Sequence, residues 1–249
     1  MHSQDLISST DITRRADIPR DVLTFWLRNG LLCPVEAPTG KGRHLRFKWY
    51  ELNIAAIMNH LRITGLKIEG MLSIVATFRE AIAWAESYDL NRDEVGALHT
   101  MFILHHQREQ QYFDDAELAR KIDEFSGEHQ GPSRITGKVR ALHAKMPKDE
   151  FYRHLNPFLT ISEQPEPMDP REAVFDVGEL TYFWRTGEGD TYQFEWGEAA
   201  AFQSQKSGAR AMIGLDISTI LWEVWNEKED GISAMLERAH EDRKQSAGA

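Results

Sequence analysis

Residues 8–32, SSTDITRRADIPRDVLTFWLRNGLL, constrain the fold of this 249-residue chain more than any other stretch. The spacing predicts two short helices around a tight turn. Ser8 to Thr10 offer side-chain oxygens to cap the first helix. Ile12 and Ala16 fall at i and i+4 and point inward. Asp17 sits in the turn, where a short polar side chain tolerates left-handed backbone. Pro19 suits the start of the second helix, because its missing N–H costs nothing there. In that second helix Leu23, Trp26 and Leu27 share one face, while Asp21, Thr24, Phe25 and Arg28 share the opposite one. Asn29-Gly30 then stops it. Two such helices make a helix-turn-helix, whose second helix has the dimensions of a DNA major groove.

The following stretch, CPVEAPTGKGRHLRFKWYEL, opposes helix at Pro34 and Pro38 and turns at TGKG. Its flanks, CPVEA and RHLRFK, are expected to pair as a small hairpin. The tip and return strand carry Lys41, Arg43, His44, Arg46 and Lys48 around Phe47, which reads as a basic wing. A helix follows from YEL, with Leu52, Ala55, Ala56, Asn59 and Leu61 near one side. A TGL break then leads into another helix near Ile68.

Charge supports a division of labour. The whole chain has a formal charge of −10, yet residues 1–69 hold ten Lys/Arg against seven Asp/Glu, and the remainder 19 against 32. A basic head on an acidic body points to a nucleic-acid module joined to something else.

In this order the segments resemble the winged helix-turn-helix of the MerR (mercury-resistance regulator) family. The matching features are DITRRADIPRDVLTFWLRNGLL for the two helices, GKGRHLRF before YEL for the wing, and RITGLKIEGM for the break into the fourth helix. The resemblance covers roughly residues 8–72. It implies a dimeric, sequence-specific transcription regulator that distorts promoter DNA for RNA polymerase. The DNA-binding residues it suggests are Arg14, Arg15, Arg20, Asp21, Thr24, Phe25 and Arg28, with Lys41, Arg43, His44, Arg46 and Lys48 of the wing. The chain departs from the family at Thr24 (usually arginine), Phe25 (commonly tyrosine), Leu27 (usually glutamate) and Asp17 (usually glycine). Either the DNA site differs, or Arg20 and Arg28 carry more of the load.

Beyond the head, IEGMLSIVATFREAIAWAESY carries Ile68, Leu72, Val75, Phe78 and Ile82 at helical spacing. NRDEVGALHTMFILHHQREQQYF reads as another helix, with Val95, Leu98, Phe102, His105 and Tyr112 near one stripe. The resemblance assigns such a stripe to a homodimer, whereas an intrachain bundle would have the same pattern. DDAELARKIDEF, ITGKVRALHAKM and KDEFYRHLNPF also read as helices. SEQPEPMDP, with three prolines in nine residues, marks a boundary. After it, AVFDVGELTYFWRTGEGDTYQFEWGEAAAF reads as a hairpin around TGEGD. WGEAAAFQSQ reads as a helix, ARAMIGLDI as a strand, and STILWEVWNEK as a helix with Ile217, Ile220, Leu221 and Val224 on one face. The expected fold is mainly α with a small α/β part. Its domains are a head over 5–72, a helical connector and dimerisation region over 73–163, and an effector- or partner-binding α/β unit over 171–249 that DNA contact does not need.

The chemistry expected to be absent narrows the function. There is no phosphate-cradling glycine loop, no G-x-S-x-G elbow and no H-E-x-x-H pair, so no enzyme is expected. Cys33 is the single cysteine, which excludes a thiol-based metal sensor. Adjacent His105 and His106 point a quarter turn apart and do not chelate together, and neither metal nor cofactor is expected. The aromatics Tyr182, Trp184, Tyr192, Trp196, Trp222 and Trp225 suit either a ligand pocket or a core. No run is long and apolar enough for a bilayer, and the start lacks a signal-peptide core, so a cytoplasmic, nucleoid-associated protein is expected. The competing function is an architectural DNA-binding protein, an excision or chromosome-organising factor, whose acidic remainder binds another protein.

Overall fold

The computed structural model describes residues 6–35, 45–126, 134–162, 181–185, 192–196 and 212–225. It is mostly helical, with a two-stranded and a three-stranded sheet among these residues. The chain divides into two compact units. One runs from 76 to 162, and the other joins the residues up to 75 with those from 163 onward.

The second of these units starts with strand β1 (Ile7–Ser8) and helix α1 (Ser9–Arg15). Ser8 caps α1 reciprocally. Its hydroxyl accepts from the Asp11 N–H at 3.1 Å, and the Asp11 carboxylate accepts from the Ser8 N–H at 3.3 Å. The hydrogen bond from the Ser8 hydroxyl holds the Asp11 carboxyl below its usual pKa. Asp17 takes φ +53° in the turn, which an aspartate adopts at smaller cost than most residues. Helix α2 (Arg20–Arg28) follows, and Gly30 ends it at φ +72°. Strand β2 (Arg46–Phe47) pairs antiparallel with β1, Ile7 opposite Phe47. The Val35 N–H also donates to the Arg46 carbonyl at 2.8 Å, so one backbone bond joins the two flanks expected to form the hairpin. The TGKG tip lies outside the described residues. The sequence carries no sign of the strand before α1, because a two-residue pairing of Ile7 with Phe47 leaves no periodic signal.

Helix α3 (Tyr50–Ile63) is buried all round. Ten of its fourteen residues are buried, including Glu51, Asn53 and Asn59. On one side it meets α1. Asn59 donates to the carbonyls of Ala16 at 3.1 Å and Asp17 at 3.2 Å, which fastens the helix-turn-helix corner to α3. A buried amide that donates to backbone carbonyls in this way satisfies its own N–H groups as well as the turn. Another face of α3 is covered by the carboxy-terminal part. There, strands β3 (Thr181–Arg185), β4 (Tyr192–Trp196) and β5 (Met212–Leu215) form an antiparallel sheet in the order β4-β3-β5. Register runs from Thr181 opposite Trp196 to Arg185 opposite Tyr192, with the TGEGD segment between. The helix expected over WGEAAAFQSQ and the proline-rich boundary both fall outside the described residues. The chain then forms a helix over Ile217–Trp225, packed on α3 with Ile217, Ile220, Leu221 and Val224 buried. It is numbered α9 below.

Helix α4 (Ile68–Ser87) belongs to this unit as far as Val75, and to the helical unit from Ala76. The helical unit adds α5 (Arg92–Glu109), α6 (Asp115–Ser126), α7 (Gly137–His143) and α8 (Lys148–Ile161). Asn91 and Glu94 cap α5 reciprocally, at 2.9 and 3.0 Å. The helix expected to run on to residue 113 stops at Glu109, and Gln111 turns the chain with φ +61°, so Tyr112 leaves the stripe and is 78% exposed. Trp84, Val95, Leu98, Phe102, Val139, Phe151 and Leu155 share one core. Phe102 stacks on Phe151 with centroids 4.7 Å apart. Val95, Leu98 and Phe102, read as dimer residues, are therefore enclosed within a single chain. His105 stacks on His143 at 4.4 Å. Burial keeps both imidazoles below their ordinary pKa, and the mutual repulsion lowers His143 further. Among the described residues no three His, Cys, Asp or Glu side chains are placed to hold a metal ion. No described helix is long and apolar enough to cross a membrane.

Candidate nucleic-acid interface

Helix α2 separates its faces as its spacing requires. Leu23 and Trp26 are 5% and 1% exposed and Leu27 is half-buried. Asp21, Thr24, Phe25 and Arg28 all face solvent, as does Arg20. Phe25 is 49% exposed, although burying a phenylalanine is worth about 1.5–3 kcal/mol. It therefore presents about half of its surface to solvent. The Thr24 hydroxyl donates to the Arg20 carbonyl at 2.8 Å. Its lone pairs therefore face outward, and it offers an acceptor where the family usually has a cation. The Asn29 side chain donates to the Phe25 carbonyl at 2.8 Å and closes the end of the helix.

The two α1 arginines, adjacent in sequence, have different surroundings. Arg14 is exposed and pairs with Asp11 at 3.5 Å. Arg15 is half-buried, and its Nε–H donates to the Val224 carbonyl of α9 at 2.8 Å. In the wing, Arg46 is exposed, with one guanidinium nitrogen 3.4 Å from the Leu6 carbonyl. Lys48 lies over the Tyr50 ring at 5.6 Å. Lys41, Arg43 and His44 lie outside the described residues.

Residues 7–73 match the family model described as MerR HTH family regulatory protein. This segment is a MerR-family helix-turn-helix domain. A search of curated proteins finds none that matches the chain. The match covers α1, α2, β2 and α3 and reaches into α4. A MerR-type domain in this position supports a DNA-binding regulator.

Sequence spacing missed three features of this domain. A cleft of about 540 Å3 runs beside α2, lined by Asp21, Phe25, Trp26, Arg62, Lys67 and Met71 among others. Arg62 and Lys67 thus add cations beside the exposed face of α2. The only sequence cue was the TGL break, which folds the start of α4 back toward α2 around Gly65 at φ +93°. The second feature is Asn59, whose corner-fastening role needs the fold to be seen. Third is the tie between Arg15 and α9, 209 positions apart.

Proposed function

We propose that the protein is a sequence-specific transcription regulator that lays α2 in the DNA major groove. The observation that carries this reading is the exposed face Asp21–Thr24–Phe25–Arg28 within a MerR-type domain. Arg28 is assigned to guanine, Asp21 to a cytosine amine, and Phe25 to a thymine methyl. Arg20 and Arg14, with the wing residues Lys41, Arg43, His44, Arg46 and Lys48, are assigned to phosphates, which fix register without reading sequence. Two heads act together on a two-fold site as a homodimer. They distort the promoter between them so that RNA polymerase engages it. The dimer face on the helical unit is placed where apolar side chains remain exposed, around Ile103 and Tyr152. The acidic carboxy-terminal part receives a small-molecule or protein effector. The protein works in the cytoplasm, on the nucleoid.

Chemical protection separates this reading from others. Duplexes selected by the protein from a random pool are treated with dimethyl sulfate, which methylates guanine N7 in the major groove and adenine N3 in the minor groove. Guanine N7 protection in two symmetry-related half-sites is expected. Protection restricted to adenine N3 would place the contact in the other groove and overturn the assignment of α2.

A further inference from the structure

The last turn of α9 meets the MerR-type domain through a small polar and aromatic cluster. The Arg15 Nε–H donates to the Val224 carbonyl at 2.8 Å, and its guanidinium carbon lies 4.6 Å from the centre of the Trp225 ring. The Trp225 indole N–H donates to Asn53 Oδ1 at 2.7 Å, from half-buried Trp225 to fully buried Asn53. Trp225 also meets Trp49 edge-on at 6.4 Å. Trp49 stands two residues after the wing strand and immediately before α3. One turn of α9 thus reaches α1, α3 and the root of the wing together.

The chemistry of the Arg15 contacts is that of a cation held in reserve. A carbonyl at a helix carboxy-terminal end carries the negative end of the helix dipole and suits a guanidinium. An indole face binds the same group. A DNA phosphate would compete for the same charged donor, and more strongly where it is a full anion. Ile217, Ile220 and Leu221, buried one to two turns earlier, anchor α9 to the domain independently of this cluster. The last turn can therefore part from Arg15 without α9 leaving α3.

We propose that the carboxy-terminal turn of α9 is a latch on Arg15, through which the carboxy-terminal part sets the number of phosphate contacts made by the MerR-type domain. Docked, the latch keeps Arg15 off the DNA. Released, it delivers one more cation to the backbone and loosens the wing root at Trp49. The inference rests on the DNA-binding reading above and adds its regulation.

The test uses the full chain with a 30-base-pair scrambled duplex, titrated by fluorescence anisotropy at several salt concentrations. The wild type and Arg15→Ala are expected to share one slope of log affinity against log salt, because the docked Arg15 touches no phosphate. Trp225→Ala is expected to steepen that slope by about 0.9, the value of one phosphate on duplex DNA. Between 50 and 200 mM salt this is an additional loss of about 3.5-fold. The double variant is expected to return to the wild-type slope. Trp225→Phe, which keeps a ring for the guanidinium but loses the bond to Asn53, is expected to fall between. Circular dichroism checks the fold. If Trp225→Ala loses helix, Trp225→Phe carries the test, and a wild-type slope in it overturns the latch. A shallower slope in Arg15→Ala alone, or a folded Trp225→Ala with the wild-type slope, also overturns it. A wild type that binds no duplex in a salt-dependent way defeats the DNA-binding reading itself. That outcome is distinct from variants that bind as the wild type does.

Discussion

Leu221→Asp is expected to unfold the MerR-type domain, whose matched segment ends at residue 73. Leu221 is 0% exposed in α9, against an α3 that is buried on all sides. The substitution removes roughly 1.5–3 kcal/mol of apolar burial. It also places a carboxylate at a fully buried apolar position, and an unpaired buried charge costs several kcal/mol more unless it is neutralised. The sum is comparable with the whole stability of a typical domain, roughly 5–15 kcal/mol. Hydrogen exchange reads the result. Amides of α3 are expected to lose protection on the order of a thousandfold, together with those of β3, β5 and α9. Full protection of α1–α3 beside an exchanging carboxy-terminal part would mean that the head folds alone. In that case the carboxy-terminal part would be the separable module suggested by its composition.

Leu98→Glu is expected to destabilise the helical unit by about 4 kcal/mol or more, by the same argument of a charge forced into packed side chains. Leu98 is 0% exposed, in one core with Val95, Phe102, Phe151 and Leu155. Urea unfolding should show a large fall in the midpoint. Ile103→Glu makes the contrast, since Ile103 is 38% exposed. It is expected to leave the midpoint within about 0.5 kcal/mol of wild type while weakening self-association in sedimentation. A stable Leu98→Glu monomer with the wild-type midpoint would show instead that the α5 stripe faces a second chain.

These two residues also show where sequence reading stops. The period along α5 says that Val95, Leu98 and Phe102 are buried, and they are. It says nothing about whether the covering surface comes from the same chain or another. In α1 and α2 the local signals suffice. A cap among Ser8 to Thr10, Asp17 in the turn and Gly30 after the helix each act within four residues, and the structure has Ser8 as the cap and the other two in place. The exposed face of α2 follows from the same short-range geometry. The pairing of Ile7 with Phe47, the grip of Asn59 on Ala16 and Asp17, and the tie of Arg15 to Val224 join positions 40 to 209 residues apart. Such pairs are set by the closing of the fold, and no window of the sequence contains them. Composition set the acidic carboxy-terminal part aside from the basic head, whereas packing joins α9 to α3.

In the proposed complex α2 reads bases while the wing holds the backbone. Titration of Arg28→Ala and Arg46→Ala, on a selected and a scrambled duplex over a range of salt, tests it most directly. Arg28→Ala is expected to cost about 1–3 kcal/mol on the selected duplex and to relax preference at one position in each half-site. Arg46→Ala is expected to weaken binding to both duplexes alike and to lower the salt slope by about one per lost phosphate contact. Unchanged affinity and unchanged slope in both variants would contradict the assignment of α2 and the wing to DNA.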